Sequence, residues 1–564
     1  MTVHESNTTL WNRWTAHAQR RPDAAAVVHW VAGEEPFVWT AAALIERAGR
    51  YAARLKAQGV RKGQVCATVL RHHREFYPLY MGIEALGALP AVLAYPNPRL
   101  HPDKFRQGLE GMAHNSGLDW LLTQRELETI VPPLATGQAS TVRDVLFPLE
   151  WHERGQLEGA FTPHPEIDPA EPCLLQHSSG TTGLQKAIML SHRAVLEHVE
   201  RYGTAISMSE ADRVVSWLPL YHDMGLIAAF HLPLALGIPT VQLDPFEWVM
   251  APVLLLEAIS RQKGTLTWLP NFAYNLMADR IHEEDLQGLR LDSLRMVINC
   301  SEPVRAVSHE KFLGRFGALG LAPAALAASY AMAETTFAVT QSAVGMPPPV
   351  LTASRRELSG GRFAPAAAGE PATRCVSSGT PIPGCKVRVV DEKGADLPDG
   401  RVGEIVIHSV SMFDGYRNNP QKTAQVLNDH WYSSGDYGFV WEGQLYVIGR
   451  KKDIIIVAGK NLYPEDIEEA VNGVPGVLPG RVVAFGAEDE SAGTDQVCVV
   501  VETSADQPAQ RKALKLAIIE AAMAVDVTVS RVYLVGPRWL IKSSAGKPSR
   551  SANRQRALEE LSPD

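Results

Sequence analysis

The first half of the chain alternates short, wholly apolar runs with longer stretches of mixed character. Gln64 to Leu70 reads as a buried strand, Arg74 to Leu86 as a helix, and Leu89 to Leu93 as the next strand. Val214 to Trp217, Thr240 to Leu243, Thr267 to Leu269 and Met296 to Asn299 are further β-like runs with helical segments between them. Such alternation predicts an α/β fold of parallel sheets covered by helices. From Leu351 to Arg374 the pattern lapses into Ala, Gly, Pro and Arg, which predicts an irregular surface insertion. Lys386 to Val390, Gly403 to His408 and Gln444 to Ile448 then alternate like antiparallel strands. A boundary is expected at Gly449, dividing the chain into a large 1–449 domain and a small 450–564 domain. In the second part, Asp453 to Val457, Arg481 to Phe485, Gln496 to Glu502 and Arg531 to Val535 read as strands. Pro464 to Val471, with Pro in its first turn, and Gln510 to Met523 read as helices, giving a small α+β domain.

The longest apolar stretch, Leu226 to Val241, carries His231, Pro233 and Pro239. It is too short and too interrupted for a membrane span and predicts a buried core element. No signal-peptide pattern opens the chain. With 564 residues, 46% hydrophobic and a net charge of −8, the chain has enough apolar sequence for large cores and no basic excess for nucleic acid. Six scattered cysteines without a C-x-x-C pair argue against a zinc site and fit a reducing cytoplasm.

The strongest chemical signal is Ser178-Ser179-Gly180-Thr181-Thr182-Gly183-Leu184-Gln185-Lys186, set between apolar strands Cys173 to Gln176 and Ala187 to Leu190. Small residues let backbone N–H groups close around phosphate oxygens, hydroxyls add donors, and Lys186 adds a point charge. The spacing is not that of a P-loop, and a polar hairpin turn is the plain alternative.

This motif resembles the phosphate-binding signature of the adenylate-forming superfamily of acyl-CoA synthetases, adenylation domains and luciferases. Further motifs follow in the superfamily's order over nearly the whole chain. Trp217-Leu218-Pro219-Leu220-Tyr221-His222-Asp223 resembles the segment that places a histidine, here His222, beside the acyl pocket and the adenylate. Asn299-Cys300-Ser301-Glu302-Pro303 resembles the loop along the adenine. Tyr330-Ala331-Met332-Ala333-Glu334-Thr335 resembles Y-G-x-[TA]-E, which implies Tyr330 against the adenine, Ala331 and Met332 along the nucleotide, Glu334 on Mg²⁺ and Thr335 on the α-phosphate. Tyr432-Ser433-Ser434-Gly435-Asp436 resembles W-x-x-T-G-D, which implies that Asp436 accepts the ribose hydroxyls. Arg450 would contact ribose or phosphate, and Lys452 would be the hinge between the domains. Lys542 to Pro548 resembles the loop of the catalytic lysine, here Lys547, whose ammonium would bridge the acid's carboxylate and the α-phosphate. Gln185 and Ala187 stand where Pro and Gly are common, and Ala331 where Gly is.

The resemblance implies a large N-terminal domain with a β-barrel-like part, a mobile C-terminal domain, and ATP and Mg²⁺ as cofactors. The implied reaction activates a carboxylic acid to acyl-AMP and passes it to an acyl carrier protein, CoA or a partner enzyme. The insertion at 351–374 and the Ser301-Glu302-Pro303 loop lean toward the fatty-acyl-AMP ligase branch, with an ordinary acyl-CoA synthetase as the alternative; Gly459 is kept in both. Trp217, His222, Phe272 and Asn275 are expected on the acyl wall, with small Ala327, Ala328 and Ala331 leaving room for a long or bulky apolar acid. A binding module without catalysis would lack Lys547 or Glu334, and both are present. An oxygen-dependent luciferase-type reaction would share every nucleotide residue.

Overall fold

The strands Val65–Val69, Leu89–Val92 and Trp120–Thr123 are buried at every position. A strand covered on both faces reads as a continuous apolar run, which is why the sequence marks these so clearly. The computed structural model describes residues 8–96, 102–131, 141–159, 161, 167–177, 186–457, 460–489, 494–542 and 548–561.

Two large sheets form the bulk. A seven-stranded sheet runs Gly415–Tyr416, Ala187–Ser191, Pro172–His177, Leu89–Val92, Val65–Val69, Trp120–Thr123, Asp144–Leu146. Its last five strands are parallel, and its first two add antiparallel to that edge. A nine-stranded sheet places Leu326–Ala331, Met296–Asn299, Leu266–Leu269, Val214–Ser216, Thr240–Leu243 and Ala25–Trp30 in parallel succession, with antiparallel strands at both edges. Helices follow the strands at capped starts. Ser191 Oγ accepts from Ala194 N at 3.2 Å to open His192–Ala205, and Thr40 Oγ1 accepts from Ala43 N at 3.3 Å to open Ala41–Ala57. One continuous apolar cluster fills the space between these layers.

The run Leu226 to Val241 is core, as its composition predicts: Met224–His231 winds as a π-helix buried throughout and continues into the buried helix Leu232–Leu236. Among the described residues, no helix is long and apolar enough to cross a membrane. A five-stranded antiparallel sheet of Cys385–Val390, Gly403–Ser409, Trp431–Trp441, Leu427–Asn428 and Gln444–Arg450 stands where a barrel-like part is implied.

The stretch 351–374 is more regular than its composition suggests. Val350–Ser354 pairs antiparallel with Ala372–Val376, and a short helix, Arg355–Ser359, lies between. Ala353, Leu358 and Phe363 turn inward, and Phe363 stacks on Phe439 at 5.2 Å between ring centres. Three anchors at five-residue spacing match neither the helical nor the strand period, so the pattern could not reveal them.

From Ile455 onward, Val477–Asp489, Thr494–Thr503 and Arg531–Val535 form a three-stranded sheet flanked by helices Pro464–Asn472, Pro508–Met523 and Arg550–Glu560. Its apolar clusters draw only on residues of this segment. The expected strand from Asp453 begins at Ile455, because Lys451–Asp453 forms a 3₁₀ turn.

Candidate active site

The strands on either side of Ser178–Gln185 pair antiparallel, His177 opposite Ala187, so the motif is the connection of a hairpin. Ser178, Ser179, Gly180, Thr181, Thr182 and Gly183 lie outside the described residues, as do Gly459 and Lys547. Lys186 is described. Its Nζ donates to the Tyr416 hydroxyl at 3.2 Å and lies 4.6 Å from the centre of that ring. Tyr416 in turn donates to Glu334 Oε1 at 2.7 Å. Tyr416 reaches this place because Gly415–Tyr416 pairs with the strand after the motif, Tyr416 opposite Ile188. Burial lowers the Lys186 pKa; Glu334 opposes that shift, and the charges of Lys422, Lys452 and Arg450 add to it. Four cations therefore share one field with the carboxylates of Glu334 and Asp436, and the cationic side of that field suits a polyphosphate.

Beside this group stands a second. Tyr330, at the end of Leu326–Ala331 and 8% exposed, donates its hydroxyl to Asp436 Oδ2 at 2.6 Å. Asp436 is opposite Arg450 in the strand pair, and Arg450 Nε lies 3.3 Å from Asp436 Oδ1. Burial raises the Asp436 pKa, against the pull of Arg450 and of the Tyr330 hydrogen bond. A carboxylate has about four lone-pair directions, so Asp436 retains capacity for two hydroxyl donors.

Between the two groups the backbone makes a tight turn. Ala331 and Met332 lead into a 3₁₀ turn, Ala333–Thr335, and the β-branched Thr336 follows at φ +70°. Ser301 is also left-handed, at φ +68°. Non-glycine residues held there gather at functional sites, because the strain persists only where the surroundings enforce it. The turn sends Glu334 toward Tyr416. Thr335 is fully buried, and its hydroxyl lies 3.1 Å from the carbonyls of both Met332 and Phe337, so it serves its own backbone here.

The residues expected on the acyl wall also come together. Trp217 stacks on Trp248 at 3.5 Å, and Phe272 meets both rings edge-on at 6.3 and 6.5 Å. His222 is half-buried with its ring 4.6 Å from that of Tyr221. The chain turns there because Gly225 approaches closely: a Cβ on it would meet the Pro219 carbonyl oxygen at 2.2 Å. Glu302, expected along the nucleotide, accepts the Phe272 N–H at 2.9 Å and so ties the 299–303 loop to the helix Asn271–Arg280. Asn275 donates to Ser308 at 3.0 Å. Ala327 and Ala328 are buried in their strand, and Pro303 is half-buried beside Glu302.

Lys452 is exposed in the turn that leads to the C-terminal segment. A bridge between Lys542 and Pro548 closes the base of the loop that carries Lys547. Burial and Arg481 push the Lys542 pKa down to about 8, while Glu502 and Glu302 act in the opposite direction. The base of that loop thus feels the charge of the 299–303 loop.

Sequence reasoning missed Tyr416 and Trp248. Tyr416 lies in Asp414-Gly415-Tyr416-Arg417, a two-residue strand too short to show a period. Away from this site, Glu84, Cys173 and His192 gather in the core with their ligand atoms within 4.8 Å of one another. Burial raises the pKa values of Glu84 and Cys173, and His192 Nδ1 already accepts the Leu10 N–H at 3.2 Å, so the cluster is a neutral polar core.

The profile of one family, described as AMP-binding enzyme, matches residues 14–417. The chain belongs to the AMP-binding enzyme family. A similar member is the long-chain-fatty-acid–AMP ligase FadD26 of Mycobacterium marinum, 31% identical over 421 residues that cover 69% of this chain and 71% of that one. Another is a 4-hydroxyphenylalkanoate adenylyltransferase of Mycobacterium tuberculosis, 28% identical over 509 residues, 86% of this chain and 80% of that one. Among solved structures, one from a study of fatty acyl-adenylate ligases of E. coli and L. pneumophila aligns at a TM-score of 0.90, 25% identity and 98% of both chains.

Proposed function

We propose that this AMP-binding enzyme activates an apolar carboxylic acid with ATP and hands the acyl group to the thiol of an acyl carrier protein. In the first half-reaction a carboxylate oxygen bonds to the α-phosphorus, the α–β phosphoanhydride P–O bond breaks, and pyrophosphate leaves. In the second, a thiol sulfur attacks the acyl carbon, the acyl C–O bond breaks, and AMP leaves. The observation that carries this reading is the pair of adjoining groups, Lys186–Tyr416–Glu334 and Tyr330–Asp436–Arg450. One supplies positive charge for phosphates, and the other a buried carboxylate for ribose hydroxyls.

In this reading the Ser178–Gly183 connection closes on the phosphates and Lys186 holds their charge. Lys547 bridges carboxylate and α-phosphate, and His222 stands beside the acid. Holding the two anions together supplies on the order of 7–11 kcal/mol at best. Glu334 is the carboxylate in a cationic cluster, and carboxylate with phosphate oxygens is the donor set that Mg²⁺ takes. When bound, the ion would neutralise phosphate charge. Trp217, Trp248, Phe272 and Asn275 form the acyl wall. Both relatives named above act on acids with a large apolar part, and the aromatic wall suits either an alkyl or an aryl chain.

The segment from Ile455, with its own apolar clusters, serves as a separate domain beyond residue 449, and Lys452 as its hinge. The segment 351–374 favours the carrier protein over CoA. Arg355 Nη1 donates to the Ala524 carbonyl at 3.4 Å and its helix Arg355–Ser359 lies against Lys460–Leu462; in this reading the two contacts together would restrain the rotation that opens a thiol path. A restraint of a few kcal/mol lowers the rotated state to about a per cent or less, and transfer to free CoA slows in proportion. A carrier protein offsets that penalty with its own interface. The six free cysteines fit a reducing cytoplasm.

The test is chromatography of the products from acid, MgATP and CoA. Accumulation of acyl-AMP, converted to acyl-CoA only after residues 355–371 are removed, is the expected result. Rapid stoichiometric acyl-CoA from the intact protein would make it an ordinary acid:CoA ligase.

A further inference from the structure

The helix Pro464–Asn472 carries four acidic residues, Glu465, Asp466, Glu468 and Glu469. They form two pairs at i, i+3 spacing, so each pair shares a face and the two faces adjoin. Each pair holds one arginine. Glu465 and Glu468 hold Arg550 of the C-terminal helix at 3.2 and 3.0 Å, and Arg550 also pairs with Asp453 at 2.6 Å. Those partners all lie beyond residue 452. Asp466 and Glu469 instead hold Arg305 at 3.2 and 3.0 Å. Arg305 belongs to the other part of the chain, immediately before the helix Ala306–Phe316, and its side chain is only 19% exposed.

Arg305 is anchored from behind by the acyl side of the site. Its backbone N–H donates to Asn271 Oδ1 at 3.1 Å, and the same oxygen accepts from Asn299 Nδ2 at 3.0 Å. Asn271 opens the helix that carries Phe272 and Asn275, and Phe272 N–H is held by Glu302. A continuous set of contacts thus runs from the acyl wall, through the 299–305 loop, to the acidic helix.

We propose that Arg305 is a positioning residue, an ionic latch that holds the C-terminal segment in its adenylate-forming orientation and releases Asp466 and Glu469 when the segment turns for thiol transfer. The inference rests on the acid-activating reading above and adds the residue that sets which half-reaction the enzyme is poised for. The division of labour on the helix follows from the partners. The Glu465/Glu468 face binds the small segment together, and the Asp466/Glu469 face grips the large part. A buried structural ion pair would be indifferent to the reaction stage, whereas a latch acts on one half-reaction only.

The experiment measures the two halves separately in the full chain, using lauric acid and 4-hydroxyphenylpropanoic acid as probes. Arg305→Ala is expected to lower acid-dependent ATP–pyrophosphate exchange at least tenfold. Its rate of thiol transfer from supplied acyl-AMP should stay within twofold of the parent or rise. Asp466→Asn with Glu469→Gln, which preserves the helix and the shape of both side chains, should reproduce this split if Arg305→Ala folds poorly. The charge-reversed pair Arg305→Asp with Asp466→Arg should recover much of the exchange. Exchange within twofold of the parent in these variants overturns the latch, and so does an equal fall in both halves that charge reversal does not restore. A parent protein that exchanges pyrophosphate with neither acid, nor with a wider acid panel, would instead overturn the acid-activating reading itself.

Discussion

Tyr416→Phe is an incisive perturbation of the proposed phosphate side of the site, because it removes one oxygen and leaves the ring in place. That oxygen accepts from Lys186 at 3.2 Å and donates to Glu334 at 2.7 Å. The ring stays under the ammonium, and the residue is 3% exposed, so packing is kept. A hydrogen bond to a charged group contributes about 1.5–3 kcal/mol. Lys186 and Glu334 are only half-buried, so solvent replaces part of the lost interaction, and about 1–2 kcal/mol is expected for the pair. If the two charges must be held apart at fixed positions to receive the polyphosphate, this appears as a loss of about 5–30-fold in kcat/KM for ATP. The assay is acid-dependent pyrophosphate exchange as a function of ATP concentration, with thermal unfolding as a check on packing. Adding Lys186→Met should then cost less than it does in the parent, because the two residues act through one contact. An unchanged kcat/KM in Tyr416→Phe, or strict additivity with Lys186→Met, would show that this contact does not set the positions of the two charges for ATP.

Lys547→Ala should lower adenylate formation by about 10²–10³ while sparing thiol transfer from supplied acyl-AMP; near-normal pyrophosphate exchange would remove Lys547 from its role. Lys452→Pro fixes φ at the turn and should slow thiol transfer more than adenylation, measured as separate half-reactions; an equal fall in both would place the hinge elsewhere. Stability should fall in acid because buried histidines are kept neutral. Burial holds His198 at about 3 and His192 at about 4, and each accepts a backbone N–H, from Ala338 and Leu10 respectively. Their folded pKa values lie below the unfolded value of about 6.5, so the unfolded chain binds the extra protons, and stability present above pH 6.5 is lost as pH falls, by about 2–3 kcal/mol each at pH 4.5. Burial raises the carboxyl pKa values of Glu84, Asp414 and Glu468, which act in the opposite direction, so the check is the difference between parent and variant: a change in denaturant midpoint from pH 7 to 4.5 that is the same in the parent and in His198→Gln would contradict this.

The parallel core was legible because strands buried on both faces leave unbroken apolar runs, and Val65–Val69 and Met296–Asn299 fall where the pattern puts them. The 351–374 stretch was not legible, since Ala353, Leu358 and Phe363 follow no single period. Of the site, Tyr330, Glu334, Asp436, Arg450 and Lys186 stand in motifs with local signatures, and the fold brings them together from four segments of the chain. Tyr416 lies on a two-residue strand, and its importance comes from pairing with a strand more than two hundred positions earlier. Arg305 gains its meaning only from Asp466, 161 positions away, a contact that no local pattern contains. The contact of Glu302 with the Phe272 N–H was not legible for a related reason. A motif shows which loop a residue occupies, but the direction of its side chain depends on the neighbouring helix that supplies the Phe272 N–H.

In the proposed function the two adjoining charge groups assemble an acyl-adenylate. The most direct test is to incubate the protein with lauric acid or 4-hydroxyphenylpropanoic acid and MgATP labelled in the α-phosphate, under argon, and to separate the products. The predicted result is labelled acyl-AMP with an equal amount of pyrophosphate, dependent on the acid and lost in Asp436→Ala. Release of ADP and inorganic phosphate in place of AMP and pyrophosphate, or turnover that requires oxygen, would contradict it.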